Sequence, residues 1–187
     1  MKKLSKLLAI CIVPLALMAC DNRDKTTPNA VSTKDSASQN YDEAKKLNFF
    51  STGSMMAANQ VYVFFDPQCG HCGKLWQETK GIKEANFNWI PVSILNPKST
   101  KQGAALLASD KPVELMTSHE QQMSSGGMEV ESVSADNVKK IEDNTKYFSK
   151  NFDSVPLVVF KNLKTNAYET MAGSASQEMV RNRLGLN

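Results

Sequence analysis

The sequence predicts an α/β protein in which helices pack on the faces of a mixed central sheet. Three observations carry this expectation. The β-branched and aromatic run Gln60 to Phe65 has the composition of a buried strand. Val138, Ile141, Thr145 and Phe148 recur at spacings of 3, 4 and 3, which marks an amphipathic helix. The elements then fall in the order strand, helix, strand, three helical segments, strand, strand, helix, and this order suits one sheet covered by helices.

Taken along the chain, the folded part starts between Leu47 and Gln60. The strand of residues 60–65 stops at Asp66-Pro67, a turn signal. A helix from Cys69 to about Glu84 follows, with Leu75, Trp76, Thr79 and Ile82 on one stripe, which makes Trp76 a core residue. Gly81 weakens this helix without having to break it. Phe87 to Leu95 reads as the second strand, closed by Asn96-Pro97. Ser99 to Ser109 holds an Ala/Leu run of helical pattern. Pro112 suits a first helical position, and Val113, Met116 and Met123 recur on one face beyond it. The methionines at these spacings read as core fillers rather than copper ligands. Gly126-Gly127 breaks the pattern before the helix around 138–148. Pro156 to Phe160 is a strand, residues 161–166 turn, and 167–171 pairs back. Ser174 or Ser176 caps a last helix that Gly185 stops.

The chain has 187 residues, 41% hydrophobic and 22% charged, which suits one domain with a short extension. No internal repeat is visible, so solenoids and propellers are excluded. Of the 22 basic side chains, Lys2, Lys3 and Lys6 lie in a segment expected to be removed; without them the basic residues equal the 19 acidic ones. That balance lacks the basic excess of a nucleic-acid binder.

Residues 1–19 have the order of a secretory signal: three lysines, the apolar stretch Leu7 to Met18, then a small residue, Ala19. Leu17-Met18-Ala19-Cys20 also resembles the bacterial lipobox, which implies lipid on Cys20 and a membrane anchor made of several acyl chains. Asp21 resembles the signal that retains such lipoproteins in the inner membrane. Residues 20–46 are polar with no apolar period and read as a flexible tether, leaving 47–187 as the folded domain.

There are four cysteines. Cys11 leaves with the signal and Cys20 is taken by lipid, so Cys69 and Cys72 remain as the thiol pair. A bridge between residues so close in sequence closes almost no loop and adds little entropic stability. Chemistry explains the pair better. A cysteine opening a helix meets unpaired N–H groups and the positive end of the helix dipole, which favour its thiolate. Cys69 has that position, directly after a strand and loop, and is expected to be the nucleophile. Cys72, one turn in, is the expected resolving thiol. His71 can stabilise the thiolate, and Gly70 leaves its sulfur sterically open. Zinc would need four ligands, and the mature chain offers only two cysteines with His71 and His119. His71 sits inside the motif, poorly placed to share a metal with both flanking sulfurs, and no metal is expected. His119, between Ser118 and Glu120, reads as a solvated helix residue. Asp66 either caps the turn before the helix or relays protons to Cys72.

The segment from Val61 to Trp76, with Cys69-Gly70-His71-Cys72 at its centre, resembles the catalytic segment of the periplasmic thiol:disulfide interchange proteins of the DsbC/DsbG class. So do Lys101 to Leu107 and the spacing to Pro156, and the resemblance covers about residues 58–186. It implies a thioredoxin fold with a helical insertion between the second and third strands, and a cis Val155–Pro156 loop that docks substrate backbone. It also implies thiol–disulfide exchange with exported, cysteine-bearing proteins, and a membrane reductase of the DsbD type that resets the pair. No cofactor is needed, because the electrons reside on the sulfurs. That class carries an N-terminal dimerisation domain, which residues 21–57 are too short and polar to supply, so a monomer is expected. The favoured direction is reduction or isomerisation. His71 and Val155 keep a DsbA-type oxidase open as an alternative, and a copper- or zinc-handling lipoprotein using the same cysteines is the alternative of another class. A module that only docks partners through the Pro156 loop is a third possibility.

Overall fold

The computed structural model describes residues 33–54 and 56–187. The expected signal segment 1–19, the lipidation site Cys20 and the first part of the expected tether lie outside the described residues.

Five strands form one mixed sheet: β1 (Phe50–Gly53), β2 (Asn59–Phe65), β3 (Ala85–Pro91), β4 (Leu157–Lys161) and β5 (Tyr168–Ala172). Their spatial order is β1-β3-β2-β4-β5. Central β2 runs parallel to β3, with Val63 opposite Trp89, and antiparallel to β4, with Val63 opposite Val158. Strand β2 is buried on both faces, which explains its unbroken apolar run. Among the described residues six α-helices accompany the sheet: α1 (Thr33–Ala44), α2 (Gly70–Thr79), α3 (Lys98–Ala108), α4 (Pro112–Gln121), α5 (Ala135–Asn151) and α6 (Gln177–Leu184). Helices α3, α4 and α5 form the insertion between β3 and β4, as the order of elements anticipates.

Each face of the sheet has its own core. Val61, Val63, Phe65, Phe87, Trp89 and Val158 pack with Leu75 and Trp76 of α2 and Val180 of α6. Trp76 is buried as expected, and its ring meets Trp89 edge-on at 5.0 Å. On the other face Tyr62, Phe64, Ile90 and Val159 pack with Phe148 of α5 and with Tyr41 and Ala44 of α1.

Four expectations need correction. The tether was expected to run through 46, but residues 33–44 form α1, and Tyr41 docks on the sheet. The Tyr41 ring stands 5.3 Å from Tyr62 and 5.0 Å from Tyr168, and its hydroxyl donates to Gln60 O at 3.2 Å. The short antiparallel edge strand β1 had no counterpart in the sequence reading. Helix α2 ends at Thr79 rather than Glu84. Thr79 Oγ1 donates back to Leu75 O at 3.0 Å, and the chain turns at Gly81. Strand β3 ends at Pro91 rather than Leu95. Beyond Val92 the chain leaves the ladder, and the N–H groups of Ile94 and Leu95 turn to a side chain, that of Asp66.

Candidate active site

The end of β2 delivers the chain into a tight loop, Asp66 to Cys69, and Asp66 organises it. Its Oδ1 accepts from Gln68 N–H at 2.8 Å and from Ser99 Oγ at 2.6 Å. Its Oδ2 accepts from the N–H groups of Ile94 and Leu95 at 2.8 and 2.9 Å. Four donors occupy this fully buried carboxylate, so Asp66 serves as a structural hub at the turn. The same loop is tied to the insertion. Gln68 Nε2 donates to Gln102 Oε1 at 2.7 Å and to Gly126 O at 2.8 Å.

Cys69 is the N-cap of α2, and its Sγ accepts from Cys72 N–H at 3.3 Å. The hydrogen bond from the Cys72 thiol is the largest influence on Cys69. Together with the backbone N–H groups of Cys72 and His71, it outweighs burial and the Asp66 charge, and brings the Cys69 thiol down from 9.0 to about 7. Cys72 is entirely buried, and burial followed by its bond to Cys69 pushes its thiol far up. Both residues are free thiols. The arrangement therefore pairs one acidic sulfur at a helix start with one sulfur held as thiol.

The chain comes back to this point at the start of β4. The Val155–Pro156 peptide bond is cis, and the Cys69 thiol lies 3.7 Å from Val155 O. Gly70 is exposed, and a side chain there would meet nothing within 4 Å. His71 is exposed too, but its ring does not turn to the sulfur as expected. Nδ1 stands 3.3 Å from Ser174 Oγ, and only the backbone N–H of His71 acts on Cys69. Beside it an open cavity of about 340 Å³ runs between α2 and the β5–α6 loop, lined by Lys74, Gln77, Glu78, Ser174, Ala175 and Ser176.

The largest departure from the sequence reading is His119, which is fully buried. Met128 N–H donates to Nδ1 at 3.2 Å, which leaves Nε2–H to donate to Pro67 O at 2.7 Å. Burial holds the ring below the ordinary histidine range, in keeping with this neutral form. With both ring nitrogens engaged by the backbone, His119 braces the cysteine loop from the insertion. Gly127 lies against the ring with φ +77°, and a Cβ there would overlap it. The Gly126-Gly127 pair was the one visible signal of this close approach. Among the described residues no group of three or more His, Cys, Asp or Glu is arranged to hold a metal ion.

A cysteine pair at a helix start, set against a cis-proline loop at the end of a five-stranded mixed sheet, defines the thioredoxin-fold class. The fold itself is that of solved disulfide-exchange proteins. The catalytic domain of Proteus mirabilis ScsC matches with a TM-score of 0.61 at 13% identity, covering 80% of this chain and 95% of that one. In sequence, the chain is similar to the thiol:disulfide interchange protein DsbG. It is 26% identical to the Escherichia coli protein over 126 residues, 64% of this chain and 50% of that protein. It is 30% identical to the Pseudomonas aeruginosa protein over 88 residues, 46% of this chain and 34% of that protein. The chain thus spans half or less of the length of these relatives. No protein-family model matches it. Among the described residues no helix is long and apolar enough to cross a membrane.

Proposed function

We propose that this protein is a thiol:disulfide oxidoreductase that acts on exported proteins through the Cys69–Cys72 pair. The observation that carries this is the asymmetry of the two sulfurs: Cys69 is brought to about 7 at the start of α2, while Cys72 is buried as a thiol. The Cys69 thiolate attacks one sulfur of a substrate disulfide, and the other leaves as a thiolate that takes up a proton. Cys72 then loses its proton and attacks Cys69 Sγ. This closes the Cys69–Cys72 disulfide and releases the substrate as a dithiol. The Val155–Pro156 loop docks the substrate backbone, since Val155 O already faces the attacking sulfur.

The reducing or isomerising direction is favoured. Strongly oxidising pairs have a first cysteine near about 3.5, whereas reducing ones lie near about 7. The DsbA-type alternative leans on His71 and Val155; Val155 stands at the sulfur, but the His71 ring faces Ser174. A membrane donor of the DsbD type would return the pair to the dithiol after each turnover. The segment Leu17 to Cys20 supports lipidation at Cys20 and anchoring to a membrane on the periplasmic side, with Asp21 favouring the inner one.

Two measurements test this. Cys69→Ser should reduce the reduction of a disulfide-bonded model protein to the uncatalysed background; retained activity refutes the reading. Acid quench and alkylation of growing cells should find the pair mostly as dithiol, and a pair found mostly as disulfide overturns the reducing direction.

A further inference from the structure

Glu120 takes no part in the exchange steps above, yet its side chain reaches their helix. It follows His119 on α4, and its Oε2 occupies the space where a side chain at position 73 would stand. A Cβ on Gly73 would overlap that oxygen. Gly73 lies four residues after Cys69, one turn along the same face of α2. Oε1 is buried with no hydrogen-bond partner. Glu120 is half-buried as a residue, but a buried carboxylate oxygen without a donor is costly, and a proton relieves the cost. Burial, followed by the Cys69 charge, raises the Glu120 carboxyl to about 7, with Lys80 at the end of α2 opposing weakly. The other titratable groups nearby are already committed. Asp66 is filled by four donors, and His119 is engaged at both nitrogens.

We propose that Glu120 is the redox-linked proton site of the cysteine pair: its carboxyl holds a proton while Cys69 is a thiolate and releases it when the disulfide forms. This rests on the reading of Cys69 and Cys72 as an exchange pair. In the oxidised state the Cys69–Cys72 bond carries no charge and Glu120 is a carboxylate. A donor dithiol breaks that bond, supplies two electrons and becomes a disulfide, giving up two protons. One proton goes to Cys72 and the other to Glu120, and Cys69 is left as a thiolate. The single negative charge of this desolvated site therefore moves from Glu120 to Cys69 without being doubled. The insertion helix α4 thereby supplies a group that opposes the thiolate and favours the disulfide once it is ionised.

The test follows the Glu120 carboxyl carbon by NMR in full chain labelled with ¹³C-glutamate, titrated separately as dithiol and as disulfide. Loss of the signal in Glu120→Gln makes the assignment. The Glu120 midpoint is expected to fall by about one pH unit on going from dithiol to disulfide. Equal midpoints in the two forms overturn the proposal. In the same series the ultraviolet thiolate titration of Cys69 in Glu120→Gln should move down in pH. The equilibrium of the pair with glutathione at about pH 8 should move toward dithiol. Gly73→Ala, which retains the charge but displaces the carboxyl, should give the same two shifts. A merely structural Glu120 would alter thermal stability and leave both titration and equilibrium unmoved, which also overturns the proposal. Glutathione reports on the pair without a protein substrate. Linked midpoints in a chain that fails to reduce protein disulfides would refute the proposed function alone, and unlinked midpoints in an active chain would refute the proton site alone.

Discussion

Asp66 and Glu120 are carboxylates beside one pair of thiols, and their surroundings differ in kind. Asp66 accepts four hydrogen bonds, three from backbone N–H groups and one from Ser99. Glu120 Oε1 accepts none. A carboxylate wrapped by donors holds the backbone around it in place. One with a buried oxygen that no donor reaches has a proton as the readiest partner for that oxygen. Nearness in sequence to the cysteines points to Asp66 as the proton-handling group; the count of donors points to Glu120.

The contrast predicts effects of graded size. Asp66→Ala leaves four donors unpaired in a fully buried turn and should cost about 3–5 kcal/mol in urea unfolding. A loss below about 1 kcal/mol would mean those donors find other partners, and the contrast would dissolve. His119→Ala strands Met128 N–H and Pro67 O and should cost about 2–3 kcal/mol by the same measurement. Tyr41→Ala lies on the opposite face of the sheet from α2. It should cost about 2 kcal/mol while leaving the Cys69 thiolate titration in place. A shifted titration in that variant would mean the two faces are coupled.

The smallest effect carries the most specific sign. The Glu120 carboxyl is raised from 4.5 to about 7, so the folded chain binds this proton more tightly than the unfolded one. Its contribution to stability is complete below 4.5 and is lost as pH rises through about 7. Glu120→Gln should therefore melt with its parent at about pH 4 and above it at about pH 8. Identical pH dependence of the two melting curves would contradict a carboxyl whose buried oxygen has no donor.

Much of this arrangement is legible in the sequence, and what is not has definite causes. Strand β2, the caps Ser176 and Gly185, Pro112 at the start of α4 and the cysteine motif are local features, set by residue type and spacing. Helix α1 escapes a sequence reading because Tyr41 and Ala44 alone give it a buried apolar face, too few for a period. Its place is decided by Tyr62 and Tyr168, far along the chain. His119 looks solvated because its sequence neighbours are polar. Its partners, Pro67 and Met128, come from two other loops. Glu120 is hidden for a similar reason: only the packing of α4 on α2 reveals that Gly73 makes room for its carboxyl.

The central claim is that Cys69 attacks and Cys72 resolves. Removing the resolving thiol tests it most directly. Cys72→Ser, mixed with a disulfide-bonded protein, should accumulate a mixed disulfide that peptide mapping by mass spectrometry places at Cys69, while Cys69→Ser should accumulate none. A stable adduct at Cys72 in the Cys69→Ser chain, or no adduct in either variant, would contradict the account.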